Sequence, residues 1–218
     1  VHLIDELRAE HVLIEKVAGS LRTFVALRLS GKAVPEDGER FLRFFRLYAG
    51  TYHHAREEDI LMPALTAEAE LAADSGPLRS LIDQHHTMAA TLAEVAPLLT
   101  GVLENDSQKE AIVFLSNKYV RALWQHIDAE NSVLLPESEV RLKWAGVHEL
   151  PDRRLTEEEA DARAGGEELA IEYPQIPDPE AIRGEGCVVC PSLGTTCGGL
   201  EREWWTDSEW ETFADRSG

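Results

Sequence analysis

The stretch HHAREEDILMP, residues 53–63, returns as HIDAENSVLLP at residues 126–136. Each copy has a glutamate four residues after its first histidine (Glu57, Glu130), a leucine eight after it (Leu61, Leu134) and a proline ten after it (Pro63, Pro136). The offset is 73 residues, and two further histidines nearly share it: His11 and His85 stand 74 apart, each with an apolar residue three later, Ile14 and Met88. Positions i and i+4 lie on one face of an α-helix, so His53 points with Glu57 and His126 with Glu130. Both pairs sit among apolar neighbours, where an unpaired carboxylate is costly. Two helix pairs related by a pseudo-twofold axis would produce this pattern, each pair contributing a lone histidine and one His-x-x-x-Glu. Four imidazoles and two carboxylates suit a pair of borderline ions, iron or manganese, with each glutamate able to bridge. The plainer reading is an acidic bundle whose histidines hydrogen-bond to i+4 glutamates on its surface. It accounts for one such pair more easily than for two at a fixed offset.

Working outward, the first 146 residues carry helical periodicity almost throughout. Leu3, Leu7, Ile14, Val17, Leu21 and Val25 mark a first helix that ends before Gly31. Phe41, Phe44, Phe45, Tyr48, Tyr52, Leu61 and Leu65 mark a second, perturbed near Pro63 and stopped at Ser75-Gly76-Pro77. A third is expected from about Leu78 to Leu103, bent by Pro97, and a fourth begins at an Asp106 or Ser107 cap. Period-two alternation is never sustained. The expected fold is therefore all-α, an antiparallel up-down-up-down four-helix bundle over residues 1–146 with an irregular C-terminal extension over 147–218.

Composition sets the outer limits. The 218 residues hold 40 acids against 21 Lys and Arg, a formal charge of -19, which argues against nucleic acid or an anionic membrane as partner. No run of 18 apolar residues exists and the N-terminus lacks a basic-then-apolar segment, so a cytoplasmic protein is expected. The charge is uneven: net -7 over residues 1–146 and net -12 over 147–218. In the extension, residues 157–168 can form a short charged helix, and Pro174, Pro177 and Pro179 break anything further. The last 32 residues contain Trp204, Trp205 and Trp210 and all three cysteines. Tryptophan area stabilises only when buried, so this arm is expected to pack on the bundle or on a second subunit, with a homodimer as one outcome. Cys187, Cys190 and Cys197 are candidates for a second metal site, a redox dithiol or inert thiols.

These motifs, EHVLIEKV, HHAREED with its proline, QHHTMAATL and HIDAENSVLLP, make residues 3–140 resemble the hemerythrin-like, or HHE cation-binding, domain family. The resemblance implies a non-haem di-iron centre inside a four-helix bundle, with His11, His53, Glu57, His85, His126 and Glu130 as ligands and the two glutamates bridging. It implies oxygen, peroxide or nitric oxide as the small partner, in a redox or oxidative-stress role, with non-catalytic oxygen or iron sensing as the alternative; no catalytic residue is assigned. Oxygen-carrying members have a fifth histidine four residues from another on the third helix. Here those positions are Leu81 and Ala89, and Asn131 stands where a second acid usually follows Glu130. Unless His54 or His86 substitutes, one coordination position is left open, which shifts the expectation from reversible oxygen storage to redox chemistry. As neighbours of ligand positions, His54 and His86 point roughly 100° away on an ideal helix. Tyr48, Tyr52, Tyr119 and Trp124 lie within two turns of ligands as packing or as electron relays. A ferritin-like centre fits less well, because Gly50 and Leu123 stand where its Glu-x-x-His pairs need glutamate.

Overall fold

Two prolines at matching places shape the helices that carry the repeat. In a regular α-helix the ring of Pro63 would press on the carbonyl of Asp59, and that of Pro136 on the carbonyl of Ser132. Both helices widen into a π turn just before the proline, over Glu57–Leu61 and Glu130–Leu134. In each, the N–H that follows bonds back five residues, Met62 to Glu57 and Leu135 to Glu130.

The computed structural model describes residues 1–69, 71–73 and 76–176, which fold as five helical runs with no strand among them. The first helix is His2–Leu29 and the second run spans 37–69, π-helical over Phe44–His54 as well as at Glu57. The third helix, Gly76–Thr100, continues through Pro97. The fourth run spans 106–144 and starts one residue earlier than expected: Asn105 is the cap, its side chain accepting the Gln108 N–H at 3.0 Å. The fifth helix, Glu157–Glu172, opens on a capping box of Thr156 and Glu159.

Side chains that bury together form two apolar cores. One gathers Ile14 to Val25, Phe41 to Tyr52, Met88 to Leu99 and Ile112 to Ile127; the other gathers Leu3 to Leu7, Leu61 to Leu71, Leu78 to Leu81 and Ala129 to Leu142. In each of the first four runs the candidate ligands fall where one core gives way to the other. The polar residues thus occupy a layer between two apolar blocks, where water is excluded and any unpaired charge is expensive.

The fifth helix joins the first core through Ala162, Leu169, Ala170 and Tyr173. Gly166 lets it approach Phe44 so closely that a Cβ there would lie 2.2 Å from the ring. Arg40 holds its far end, 2.7 Å from both Glu168 and Glu172. The Tyr173 hydroxyl donates to Asp37 at 2.5 Å. Its helical stretch is one turn longer than the charge pattern suggested, because Leu169 and Ala170 bury against the bundle.

Candidate metal centre

His11 comes from the first helix, His53, His54 and Glu57 from the second run, His85 from the third helix, and His126 and Glu130 from the fourth run. The six duplicated residues are all buried, both glutamates completely. Each of the four lone or motif histidines donates its Nδ1 hydrogen outward. His53 donates to Glu10 at 2.8 Å, His85 to Glu58 at 2.6 Å, His11 to Asn131 at 2.8 Å and His126 to Gln84 at 2.9 Å. The pattern is reciprocal. The residue before a lone histidine (Glu10, Gln84) holds the motif histidine of its own half, and the residue after a motif glutamate (Glu58, Asn131) holds the lone histidine of the other half. Such outer partners fix ring orientation and tautomer.

With Nδ1 as donor, every Nε2 presents a lone pair inward. Those of His11 and His53 lie 3.0 Å apart, and those of His85 and His126 2.8 Å apart. Two lone pairs facing each other repel. Yet two nitrogens about 2.1 Å from one ion and at right angles across it lie about 3.0 Å from each other, so each pair has the spacing of two donors on one cation.

The carboxylates complete both positions. Glu57 turns Oε1 toward His53 (3.6 Å) and His11 (3.9 Å) and Oε2 toward His85 (3.6 Å). Glu130 turns Oε2 toward His11 (3.2 Å) and Oε1 toward His126 (3.1 Å). None of these four oxygens has a hydrogen-bond partner, since the nearby Nε2 atoms carry no hydrogen in this tautomer. Four orphaned carboxylate oxygens in a dry layer are a large unpaid debt of solvation, and a cation facing both imidazoles and carboxylates removes it. Two groups of donor atoms result, each within 4.8 Å: His54, Glu57, His85 and His126 in one, His11, His53, Glu57 and Glu130 in the other.

A family comparison accords with this donor set: the model for the hemerythrin HHE cation-binding domain matches residues 2–138. The chain belongs to the hemerythrin HHE family. No curated protein and no solved structure matches it. With Leu81 and Ala89 four residues either side of His85 in this HHE chain, the placement of His54 matters. Its ring stacks on His85, centroids 3.8 Å apart and planes 10° apart, and it lies 5.8 Å from the His126 ring. His86, by contrast, is exposed and belongs to neither group. His54 turns inward because it sits in the π-helical stretch Phe44–His54, whose wider turn narrows the angle between neighbouring side chains.

The electrostatics of His53, His54 and His126 fit neutral imidazole donors. Burial pushes His53 down to about 4, against the pull of Glu10, and it lowers His126. His54 is held well below the usual range by burial and by the three histidine rings beside it. Burial also works against a charge on His11, but the Glu130 carboxylate beside it prevails and raises it. Burial and the adjacent Glu130 charge push Glu57 well up. Burial opposes ionisation of Glu130 too, yet the His126 and His11 rings hold it well below the usual carboxylate range. The two glutamates are driven apart in acidity because the layer cannot hold both charges without cations.

Around the centre, Tyr48 and Tyr52 stack at 5.7 Å, Tyr119 packs edge-on to Phe45, and the Trp124 indole donates to the Glu15 carbonyl at 3.3 Å. Cys187, Cys190, Cys197 and the three C-terminal tryptophans lie outside the described residues. Among the described residues no helix is long and apolar enough to cross a membrane.

Proposed function

We propose that this HHE protein is a non-haem di-iron protein that handles oxygen, peroxide or nitric oxide in a redox or stress response. The observation that carries the reading is the set of four orphaned carboxylate oxygens facing two imidazole pairs at ion-sharing distance. On this reading His11 and His53 would hold one ion and His54, His85 and His126 the other, with Glu57 and Glu130 shared between them. Iron, when bound, supplies one-electron redox chemistry and a position for a small ligand. The residues supply the rest. Nδ1 bonds keep each Nε2 aimed inward, the flanking cores exclude water, and the carboxylates balance ionic charge. Two imidazoles face one ion position and three the other, so the His11–His53 side has fewer protein donors and more room for a small ligand.

The alternation of the cores supports an up-down-up-down antiparallel bundle over residues 1–146, with 147–218 as its extension. The first and third helices run from the second core through the ligand layer into the first, and the second and fourth runs take the opposite order.

Anaerobic loading with ferrous iron, metal analysis and then peroxide addition test the function. Two irons per chain with consumption of many peroxide equivalents are expected. Two irons without turnover would leave the non-catalytic sensing reading, and a preference for zinc would overturn both.

A further inference from the structure

We propose that Arg56 and Asp152 are positioning residues for the ion held by His11 and His53, so that the segment beyond the family-matched residues forms part of the metal centre. The inference rests on the two-ion reading above. Its starting point is a guanidinium with no exposed surface, one residue before Glu57 and three after His53. An isolated cation there would be prohibitive, and three carboxylates answer it. Arg56 donates to Glu6 and Glu10, and its Nε donates to Asp152 Oδ1 at 2.8 Å. The Tyr52 ring covers it at 5.0 Å.

Glu10 is the shared element. Its Oε1 accepts from Arg56 while its Oε2 accepts from His53 Nδ1. Arg56 therefore fixes the carboxylate that orients a ligand, and it draws off part of that carboxylate's charge. A carboxylate so engaged polarises the imidazole less than a bare one does. Glu58, which accepts from His85 on the other ion, bonds to no arginine among the described residues. The two ions are thus built to differ.

The internal repeat shows that this is an addition to one half only. Shifting by the repeat offsets, Glu10 corresponds to Gln84 and Arg56 to Ala129. A neutral pair in one half is replaced by a charged pair in the other, and the charged pair lies where the extension reaches. Asp152 and Arg153 clamp that place. The Arg153 backbone N–H bonds to Asp152 at 2.7 Å, and its side chain donates to the Thr51 carbonyl at 2.6 Å and to both oxygens of Glu159. Its guanidinium also lies over the Tyr52 ring at 4.9 Å, the same ring that Arg56 approaches. A connected path thus runs from residue 152 through Arg56 and Glu10 to His53.

The test titrates the full-length metal-free protein with Co(II), following its visible absorption, in the parent and in Asp152→Asn, Glu10→Gln, Glu58→Gln and the Glu10→Gln/Asp152→Asn double variant. Loss of an outer hydrogen-bond partner of a ligand commonly costs about 10–100-fold in metal affinity. Glu10→Gln should weaken one equivalent on that scale, and Asp152→Asn should weaken the same equivalent several-fold. Glu58→Gln should weaken the other. Because Asp152 acts through Glu10, the double variant should be no weaker than Glu10→Gln alone. Melting of each metal-free variant shows that it is folded. Additive losses, or equal weakening of both equivalents by Asp152→Asn, would overturn the proposal. Failure of the parent to bind two Co(II) would instead remove the two-ion reading beneath it.

Discussion

Glu57→Gln should make the metal-free protein more stable and the metal-loaded protein less stable. Glu57 has no exposed surface, neither of its oxygens has a hydrogen-bond partner, and burial with the Glu130 charge pushes its pKa well up. Without metal it must either take a proton or remain charged beside Glu130. An unsatisfied buried polar group costs about 1–3 kcal/mol, more when charged. The substituted amide keeps the shape, carries no charge and can donate to Glu130. A gain of about 2 kcal/mol, or about 4–8 °C in melting temperature for a chain of this size, is expected in chelator. With metal the sign reverses. The variant loses a donor to both ions, and ligand linkage of about 4 kcal/mol at a thousandfold excess over Kd is forfeited in large part. Calorimetric melts of parent and variant, each in chelator and with two anaerobic equivalents of ferrous iron, measure both changes. A variant that melts lower in chelator, or that keeps the full metal-induced rise, would refute the claim that Glu57 is held in place for cations.

His54→Ala should lower the affinity for one of two metal equivalents, while His86→Ala leaves both unchanged, because only His54 stacks within the centre; equal titrations for the two variants would contradict this. In the metal-free Glu57→Gln protein, stability should fall as pH drops from about 6.5 toward 4. Burial holds His53 at about 4 and lowers His54 and His126, so the unfolded chain gains protons that the folded chain refuses. His11, raised by Glu130 in spite of burial, contributes the opposite sign, present at low pH and lost as pH rises through its folded value. Each proton of net difference costs about 2 kcal/mol on moving from pH 6.5 to 5. Urea unfolding at the two pH values reads it, and greater stability at pH 5 would sink the assignment.

What the sequence determined by itself is whatever depends on spacing along one helix. The His-x-x-x-Glu pairs, their 73-residue offset and the apolar residues on either side nominate a cation-binding helical bundle, and the family match over residues 2–138 agrees. The proline at 63 announced a perturbed turn, though not that it would be a π turn beginning at Glu57, nor that Pro136 would have the same turn before it, beginning at Glu130. The fate of the adjacent histidines was not legible. An ideal helix treats His54 and His86 alike, and the π-helical stretch at residues 44–54, whose repeat counterpart at 117–127 is α-helical, turns one inward, while the counterpart residue Ile127 stays in the apolar core. The outer partners were equally hidden. Glu10 reaches His53 across 43 positions, Asn131 reaches His11 across 120, and Asp152 reaches Arg56 across 96. Those pairings follow from which helices lie side by side, and residue spacing along a chain carries that information only within a helical turn or two. Beyond that range the tertiary structure decides, because a buried charge takes whatever partner the packed neighbours bring within reach.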